Sequence, residues 1–183
     1  EDQHLERLTK ASRYFAYPFN PENLRQKIEE ECQVCDVNQD YRLRITLSKS
    51  GEMELSRQIL APLSQSFCKA KLCLQEADLN QSFTYFKTTH RPHLSLGEQE
   101  IIYHNAAGEL LETSIGNLVL KIAGKLYTPP TSLGILPGIY RQHLLERGQV
   151  KEKIMTLEDL NQAEAIYGCN AVRGLYELEV NPK

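Results

Sequence analysis

A lysine and a glutamate are the side chains whose positions in this sequence point most directly to chemistry. Lys87 lies at the predicted end of a strand-like run, 83–87, and a lysine amine can attack carbonyl groups or act as a base. Glu112 has apolar neighbours on both sides, which predicts partial burial and a functional carboxylate. The alternatives are a surface lysine at a strand edge and a solvated hairpin glutamate, because both residue types are mostly exposed.

A predicted helix start further along the chain could bind an anion. The segment Leu136-Pro137-Gly138-Ile139-Tyr140 predicts a helix over 137–147 with Pro137 in its first position, where proline is favoured. The first N–H groups of a helix are unpaired and lie at the positive end of its dipole, so a phosphate fits there. The alternative is an ordinary helix that begins with proline.

These features belong to a longer pattern between Glu112 and Arg141. The pattern consists of Glu112-Thr-Ser114-Ile-Gly-Asn117-Leu118, then Leu126-Tyr127-Thr128, then Leu136-Pro137-Gly138-Ile139-Tyr140-Arg141. It resembles the signature of the class IV, or fold type IV, pyridoxal-phosphate-dependent aminotransferase family. Within that family the sequence of these segments is similar to that of the aminodeoxychorismate lyases, and the resemblance extends from His4 to about Leu178.

The resemblance implies pyridoxal 5'-phosphate as the cofactor and gives the residues above their roles. Lys87 would bind the cofactor covalently and then move protons on the substrate. Glu112 would pair with the protonated pyridine nitrogen through a charge-assisted hydrogen bond, the stronger class of such bonds. The backbone N–H groups of Ile139 and Tyr140 would bind the phosphate.

Four further residues are candidates through the same resemblance. The segment His4-Leu5-Glu6-Arg7-Leu8 is similar to a His-x-x-Arg-Leu segment of the family, which implies that Arg7 binds the cofactor phosphate; an exposed helical arginine is the alternative. Asn170 stands where relatives have a phosphate-contacting hydroxyl or amide. Arg91 and Arg173 resemble arginines of the lyases and are candidates for binding substrate carboxylates, with surface charge as the equal alternative.

The function implied by the resemblance is that of a pyridoxal-phosphate-dependent lyase. It would release pyruvate and 4-aminobenzoate from 4-amino-4-deoxychorismate, a reaction of folate biosynthesis. A class IV aminotransferase for D- or branched-chain amino acids is the second hypothesis, since it uses the same cofactor machinery. A non-catalytic remnant of the fold is the third. The implied partners are a small-molecule substrate and a second copy of the chain in a homodimer.

Periodicity of the apolar residues predicts the elements that must position these groups. The first part predicts helices over 4–14 and 21–32, a hairpin of strands 41–47 and 53–59, and a strand over 68–74. The second part predicts strands, two hairpins and two helices, over 83–87, 101–103, 110–111, 118–122, 125–128, 137–147, 150–155, 157–165, 166–169 and 176–180. This mixture with many hairpins predicts an α+β fold rich in antiparallel pairings.

The resemblance refines this to the two-lobed fold of the D-amino acid aminotransferase-like enzymes. We expect a smaller N-terminal α/β lobe over 1–76, a linker over 77–82 and a larger cofactor-binding lobe over 83–183. Family members usually have a strand pair ahead of the His-x-x-Arg-Leu helix, and the sequence does not contain one, so the first lobe is expected to be incomplete.

Composition excludes several other classes of protein. The net charge of −3 without blocks of like charge predicts no nucleic-acid partner. The longest apolar runs are far shorter than a membrane span. The five cysteines form no regular framework, which favours a reducing, cytoplasmic location. Cys32 and Cys35 have the spacing of metal ligands, but no second Cys or His pair accompanies them, so no metal is predicted.

Overall fold

A computed structural model describes residues 2–62, 67–75, 82–95, 97 and 99–180 of the 183-residue chain. The chain divides into two compact units, 1–64 and 65–183. Among the residues described, no helix has the length and apolar character needed to cross a bilayer.

The first unit contains two helices and a hairpin, which are α1 (Asp2–Tyr14), α2 (Pro21–Gln33), β1 (Tyr41–Leu47) and β2 (Met53–Ile59). These elements confirm the sequence prediction for this region. Helix α2 begins there because the Oδ1 of Asn20 accepts hydrogen bonds from the N–H groups of Glu22 and Asn23. The strands pair in antiparallel register along their whole length.

The second unit contains eight strands and three helices. The strands are β3 (Phe67–Leu74), β4 (Glu100–His104), β5 (Leu110–Thr113), β6 (Asn117–Ile122), β7 (Lys125–Thr128), β8 (Lys151–Glu152), β9 (Ala165–Asn170) and β10 (Gly174–Val180). The helices are α3 (Ser82–Tyr85), α4 (Ile139–Glu146) and α5 (Leu157–Gln162), and Thr131–Leu133 forms a 3₁₀ turn.

All eight strands join one sheet, in the order β5-β4-β3-β10-β9-β6-β7-β8. Strand β5 also pairs with β6, which closes the strands from β5 to β6 into a ring. Antiparallel pairings outnumber parallel ones by five to three, as the sequence predicted. The ring matters for function because it fixes the ends of β5, β6 and β9 beside one another.

The core of the second unit is mainly apolar, and it includes a small cluster of polar side chains around Glu100. Ile102, Leu118 and Leu120 are fully buried in the core. Next to Tyr176, a member of the same core, lies a buried carboxyl group: Oε1 of Glu100 accepts hydrogen bonds from the hydroxyl of Tyr176, at 2.8 Å, and from that of Thr113. These bonds satisfy a polar group that is only 7% exposed.

Three predicted elements were wrong in type or extent. Residues 83–87 were predicted as a strand, but Ser82–Tyr85 forms a helical turn in which the N–H of Phe86 donates to the carbonyl of Ser82. Burial of Thr84, at 2% exposure, shows that packing overrides the strand preference of this segment. Helix α4 begins at Ile139 rather than at residue 137, and only Lys151–Glu152 of the predicted strand 150–155 is a strand.

The division of the chain also differs from the expected one. The strand predicted over 68–74 was assigned to the first lobe, whereas β3 pairs with β4 and β10 inside the sheet of the second unit. Its alternating pattern is the same whichever sheet the strand joins, so the sequence did not determine its partner. The predicted linker, 77–82, lies outside the described residues except for Ser82.

Replacement of Glu100 by glutamine tests the buried polar cluster. Burial raises the pKa of Glu100 above its ordinary value. The stability that the neutral carboxyl contributes is therefore complete below about pH 4.3 and is lost as the pH rises through the raised folded-state pKa. We expect Glu100→Gln to unfold at about the same urea concentration as the parent near pH 4, and at a higher urea concentration than the parent at pH 8.

The matched control is Glu177→Gln, because Glu177 is an exposed glutamate on β10, the strand that carries Tyr176. A gain at pH 8 of equal size in both variants, or a loss of stability in Glu100→Gln at pH 8, would contradict this account of the cluster.

Candidate functional site

Glu112 is the most deeply buried acid in the described part of the chain. Its side chain is 2% exposed, and all four residues of β5 are buried. The Oε1 of Glu112 accepts a hydrogen bond from Nη2 of Arg91 at 3.0 Å, and Oε2 accepts one from the N–H of Leu136 at 3.3 Å. A carboxylate has about four acceptor positions, so this one keeps capacity for a further donor.

Electrostatics around Glu112 oppose the effect of its burial. Burial raises the pKa of Glu112, whereas the charge of Arg91, the hydrogen bond from the N–H of Leu136 and the charge of Lys87 all lower it. The influence of Lys87 shows that its ammonium group lies within electrostatic range of the carboxylate. The structure thus brings together two residues that the sequence predicted as partners in one site.

Lys87 follows the helical turn α3 and lies outside regular secondary structure. Its side chain is exposed, in contrast to that of Glu112. The N–H of Thr88 donates to the carbonyl of Phe86 at 3.0 Å, so a tight turn presents the lysine rather than the strand end that was predicted. An accessible amine beside a buried acid is an arrangement that suits binding of a carbonyl compound.

Asn117 binds the segment around Leu136, which contacts Glu112 and leads into helix α4. Asn117 is opposite Glu112 in the β5–β6 pairing, and its Nδ2 donates to the carbonyl of Leu136 at 2.8 Å. A Cβ atom on Gly138 would overlap the Oδ1 of Asn117. Glycine is therefore required at this position because the amide side chain occupies the space that a larger residue needs.

Helix α4 starts directly after this segment. Gly138 is its N-cap, and no side chain caps the first turn. The N–H groups of Ile139 and Tyr140 lie in that first turn, where no intrahelical acceptor exists. The helix start therefore has N–H donors at Ile139 and Tyr140 without intrahelical acceptors, and their binding of a phosphate stays a prediction.

Arg141 attaches the same helix to the sheet. Its side chain is 2% exposed, and its Nη2 donates to the carbonyl of Pro129, at 2.8 Å, and to Glu152. These bonds attach α4 to the ends of β7 and β8. Arg141 belongs to the sequence pattern described above, but no role was predicted for it; its spacing of three from the buried Leu144 was the available signal of an inward-facing position.

Asn170 lies in the turn between β9 and β10. Its Oδ1 accepts hydrogen bonds from the N–H groups of Val172 and Arg173, at 3.0 and 2.9 Å, and its Nδ2 is 3.5 Å from the carbonyl oxygen of Ile115. The side chain therefore joins this turn to the Ser114–Gly116 turn. A Cβ atom on Gly174 would lie 3.3 Å from the hydroxyl of Tyr140, which places the β9–β10 turn beside helix α4.

The two remaining predicted residues are Arg173 and Arg7. Arg173 is half-buried and close enough to Cys68 that its charge lowers the pKa of that thiol, against the larger effect of burial, which raises it. Arg7 is half-buried on α1, in the first unit. The second unit by itself brings together Lys87, Glu112, Arg91 and, around the start of α4, Ile139, Tyr140 and Asn170.

Comparisons with known proteins agree with the pattern found in the sequence. A model of the amino-transferase class IV family matches residues 1–178. The chain therefore belongs to this family, which confirms the predicted resemblance, the fold class and an enzyme of the lyase or aminotransferase kind within it.

Two relatives of low sequence identity are named aminodeoxychorismate lyases. The chain is 23% identical over 187 residues to a Schizosaccharomyces pombe protein provisionally named an aminodeoxychorismate lyase, with 93% of this chain and 79% of that protein covered. It is 24% identical to the aminodeoxychorismate lyase of Saccharomyces cerevisiae, over 82% of this chain and 54% of that protein. A match of 38% identity to an uncharacterised Haemophilus influenzae protein spans 37% of this chain and 35% of that protein.

One solved structure is similar in fold to this chain over almost its whole length. A Mesorhizobium loti protein provisionally named an amino-acid aminotransferase superimposes with a TM-score of 0.88 and 26% identity. The match covers 98% of this chain and 91% of that one. The chain thus shares its fold with this solved structure.

Replacement of Gly138 by alanine tests the geometry of the helix start. The added Cβ atom must displace Asn117 or the backbone before α4, which breaks the bond from Nδ2 of Asn117 to the carbonyl of Leu136. We expect a loss of about 1–3 kcal/mol in the free energy of unfolding, measured with urea, together with weaker binding of pyridoxal phosphate.

The control is Gly97→Ala, because a Cβ atom there meets nothing closer than 3.9 Å. Equal stability and equal affinity in the Gly138 and Gly97 variants would show that the close approach of Asn117 does not constrain the helix start.

Proposed function

We propose that the protein is a pyridoxal-phosphate-dependent lyase that converts 4-amino-4-deoxychorismate to 4-aminobenzoate and pyruvate. The observation that carries the proposal is the buried carboxylate of Glu112 within electrostatic range of the exposed Lys87. The names of the two yeast relatives support the lyase reaction. Folate biosynthesis, a cytoplasmic location and a homodimer follow from the same proposal.

The residues present fit the proposed cofactor. Pyridoxal phosphate needs an amine for its aldehyde, an acid for its ring nitrogen and donors for its phosphate. Lys87 is an exposed amine, and Glu112 is a buried acid with acceptor capacity that Arg91 and the N–H of Leu136 leave unused. The uncapped start of α4 supplies N–H donors. The single segment Leu136–Tyr140 thus contacts the acid at one end and begins the anion site at the other.

Each side chain then has a defined task. Glu112 accepts a hydrogen bond from the pyridine nitrogen, which keeps that nitrogen protonated. The N–H groups of Ile139 and Tyr140 would hold the phosphate, with Asn170 of the β9–β10 region as a further candidate ligand. Arg173 is a candidate for binding a substrate carboxylate. When bound, the cofactor supplies an electron-withdrawing ring that stabilises negative charge on the substrate carbon bearing the amino group.

Lys87 performs the proton transfers. Its amine would hold the cofactor and would accept the proton from the amino-bearing carbon of the substrate. Loss of that proton and of the enolpyruvyl group, which takes up a proton to become pyruvate, makes the substrate ring aromatic and drives the reaction forward. The exposed position of Lys87 gives the substrate access to this amine.

A class IV aminotransferase is the second candidate function. The similar solved structure from Mesorhizobium loti is provisionally named an amino-acid aminotransferase, and both activities use the same cofactor machinery. The two differ in their requirement for an acceptor. Release of pyruvate from 4-amino-4-deoxychorismate without any added oxo acid supports the lyase, whereas turnover of amino acids that depends on 2-oxoglutarate supports the aminotransferase.

Replacement of Lys87 by alanine tests the cofactor and the lysine together. We expect the purified parent protein to develop a yellow absorption band with added pyridoxal phosphate, and Lys87→Ala to lack that band because no amine captures the aldehyde. Pyruvate release should fall by at least about a thousandfold, since both the covalent attachment and the proton transfer are lost.

Lys125→Ala is the matched control, because Lys125 is an exposed lysine in the same unit; its band and activity should equal those of the parent. A folded parent protein without any band would reject the proposal and favour the non-catalytic remnant.

A further inference from the structure

Arg91 is largely buried and already paired with a carboxylate, unlike an arginine that is available to bind a substrate. Its side chain is 14% exposed, and its Nη2 lies 3.0 Å from the Oε1 of Glu112. The Nε of Arg91 is buried and has no acceptor among the described residues. The guanidinium group is therefore held, within the described chain, by the carboxylate of Glu112.

Glu112 needs this partner because a buried carboxylate is costly without a compensating charge. Among the described residues, Arg91 is the cation that makes a hydrogen bond to it, whereas Lys87 acts through its charge at longer range. A lysine must lose its ammonium proton before its amine can attack a carbonyl group. Arg91 then becomes the permanent positive charge beside Glu112, since an arginine stays protonated at any ordinary pH.

We propose that Arg91 is a positioning residue that keeps Glu112 ionised and oriented toward the ring nitrogen of the cofactor, and that it is not the ligand of a substrate carboxylate. This inference rests on the proposed function for the identity of the cofactor. It assigns Arg91 a task on the opposite side of the cofactor from the reacting carbon, because the ring nitrogen and the aldehyde lie across the pyridine ring from each other.

The orientation of Glu112 supports the assignment. Arg91 binds one carboxylate oxygen and the N–H of Leu136 binds the other, so the carboxylate is fixed at both oxygens and has acceptor positions left over. An arginine that turned away to bind a substrate would leave a carboxylate of 2% exposure without its hydrogen-bonded cation. That exchange is unfavourable because the desolvation of Glu112 would remain uncompensated.

A double-mutant cycle on the protein without cofactor tests the ion pair. The variants are Arg91→Met, Glu112→Gln and the double variant, with melting temperatures measured at pH 8. We expect Arg91→Met to lower the melting temperature by about 4 °C or more, and Glu112→Gln to restore most of that loss when it is added to Arg91→Met. Additive changes would overturn the proposal, because additivity means that the two side chains do not interact.

Arg147→Met is the control for the removal of an arginine, since Arg147 is exposed just after α4. Its melting temperature should equal that of the parent. Arg91→Lys gives a second variant in case Arg91→Met does not fold; it keeps the charge, loses the guanidinium geometry, and should fall between Arg91→Met and the parent.

Kinetics of the protein loaded with pyridoxal phosphate separate positioning from substrate binding. For the positioning role we expect Arg91→Met to lower kcat by about 10- to 100-fold, with KM for the substrate within about twofold and with weaker cofactor binding. Arg91→Lys should recover part of kcat. A large rise in KM with unchanged kcat and unchanged cofactor affinity would instead identify a substrate ligand and overturn the inference.

The cofactor-binding experiment and the double-mutant cycle can fail independently of each other. A parent protein that does not bind pyridoxal phosphate would reject the proposed function and the cofactor part of this inference, whatever the outcome of the melting experiment. An additive cycle in a protein that binds the cofactor would reject the role of Arg91 and leave the proposed function intact.

Discussion

The site depends on the burial of one carboxylate, that of Glu112. A charged group at 2% exposure is stable only where donors and positive charge compensate for lost water. The surrounding chain supplies these through Arg91, the N–H of Leu136 and the charge of Lys87. Two separate segments, one with Lys87 and Arg91 and one with Leu136, must therefore converge on β5, and the closed ring of strands from β5 to β6 holds β5 in place for them.

Strand β5 serves two purposes because neighbouring side chains on a strand point to opposite faces. Glu112 makes its bonds to Arg91 and Leu136, while the hydroxyl of Thr113 donates to Glu100. Thr113 also accepts a hydrogen bond from the N–H of Gly116 at 3.0 Å. The same short strand thus carries the buried Glu112, and its Thr113 fixes the turn that precedes Asn117.

The sequence predicted much of this fold from local rules. The hairpin over 41–47 and 53–59 follows from alternation, and the hairpin turn at Ala123 and Gly124, with φ of 48° and 72°, follows from turn chemistry. The sequence also singled out Lys87 and Glu112, which the structure brings within electrostatic range. It missed the contact of Arg91 with Glu112, because a pairing across 21 residues has no periodic signal.

Two of the failed predictions lie at the site itself, and their cause is tertiary contact. The start of α4 was placed at Pro137 from propensity, but Asn117 holds the carbonyl of Leu136 and delays the helix to Ile139. The strand predicted to end at Lys87 is replaced by a helical turn around the buried Thr84. In both places packing displaces the backbone from its local preference. At the helix start, the same displacement leaves the N–H of Leu136 outside the helix, where it donates to Glu112.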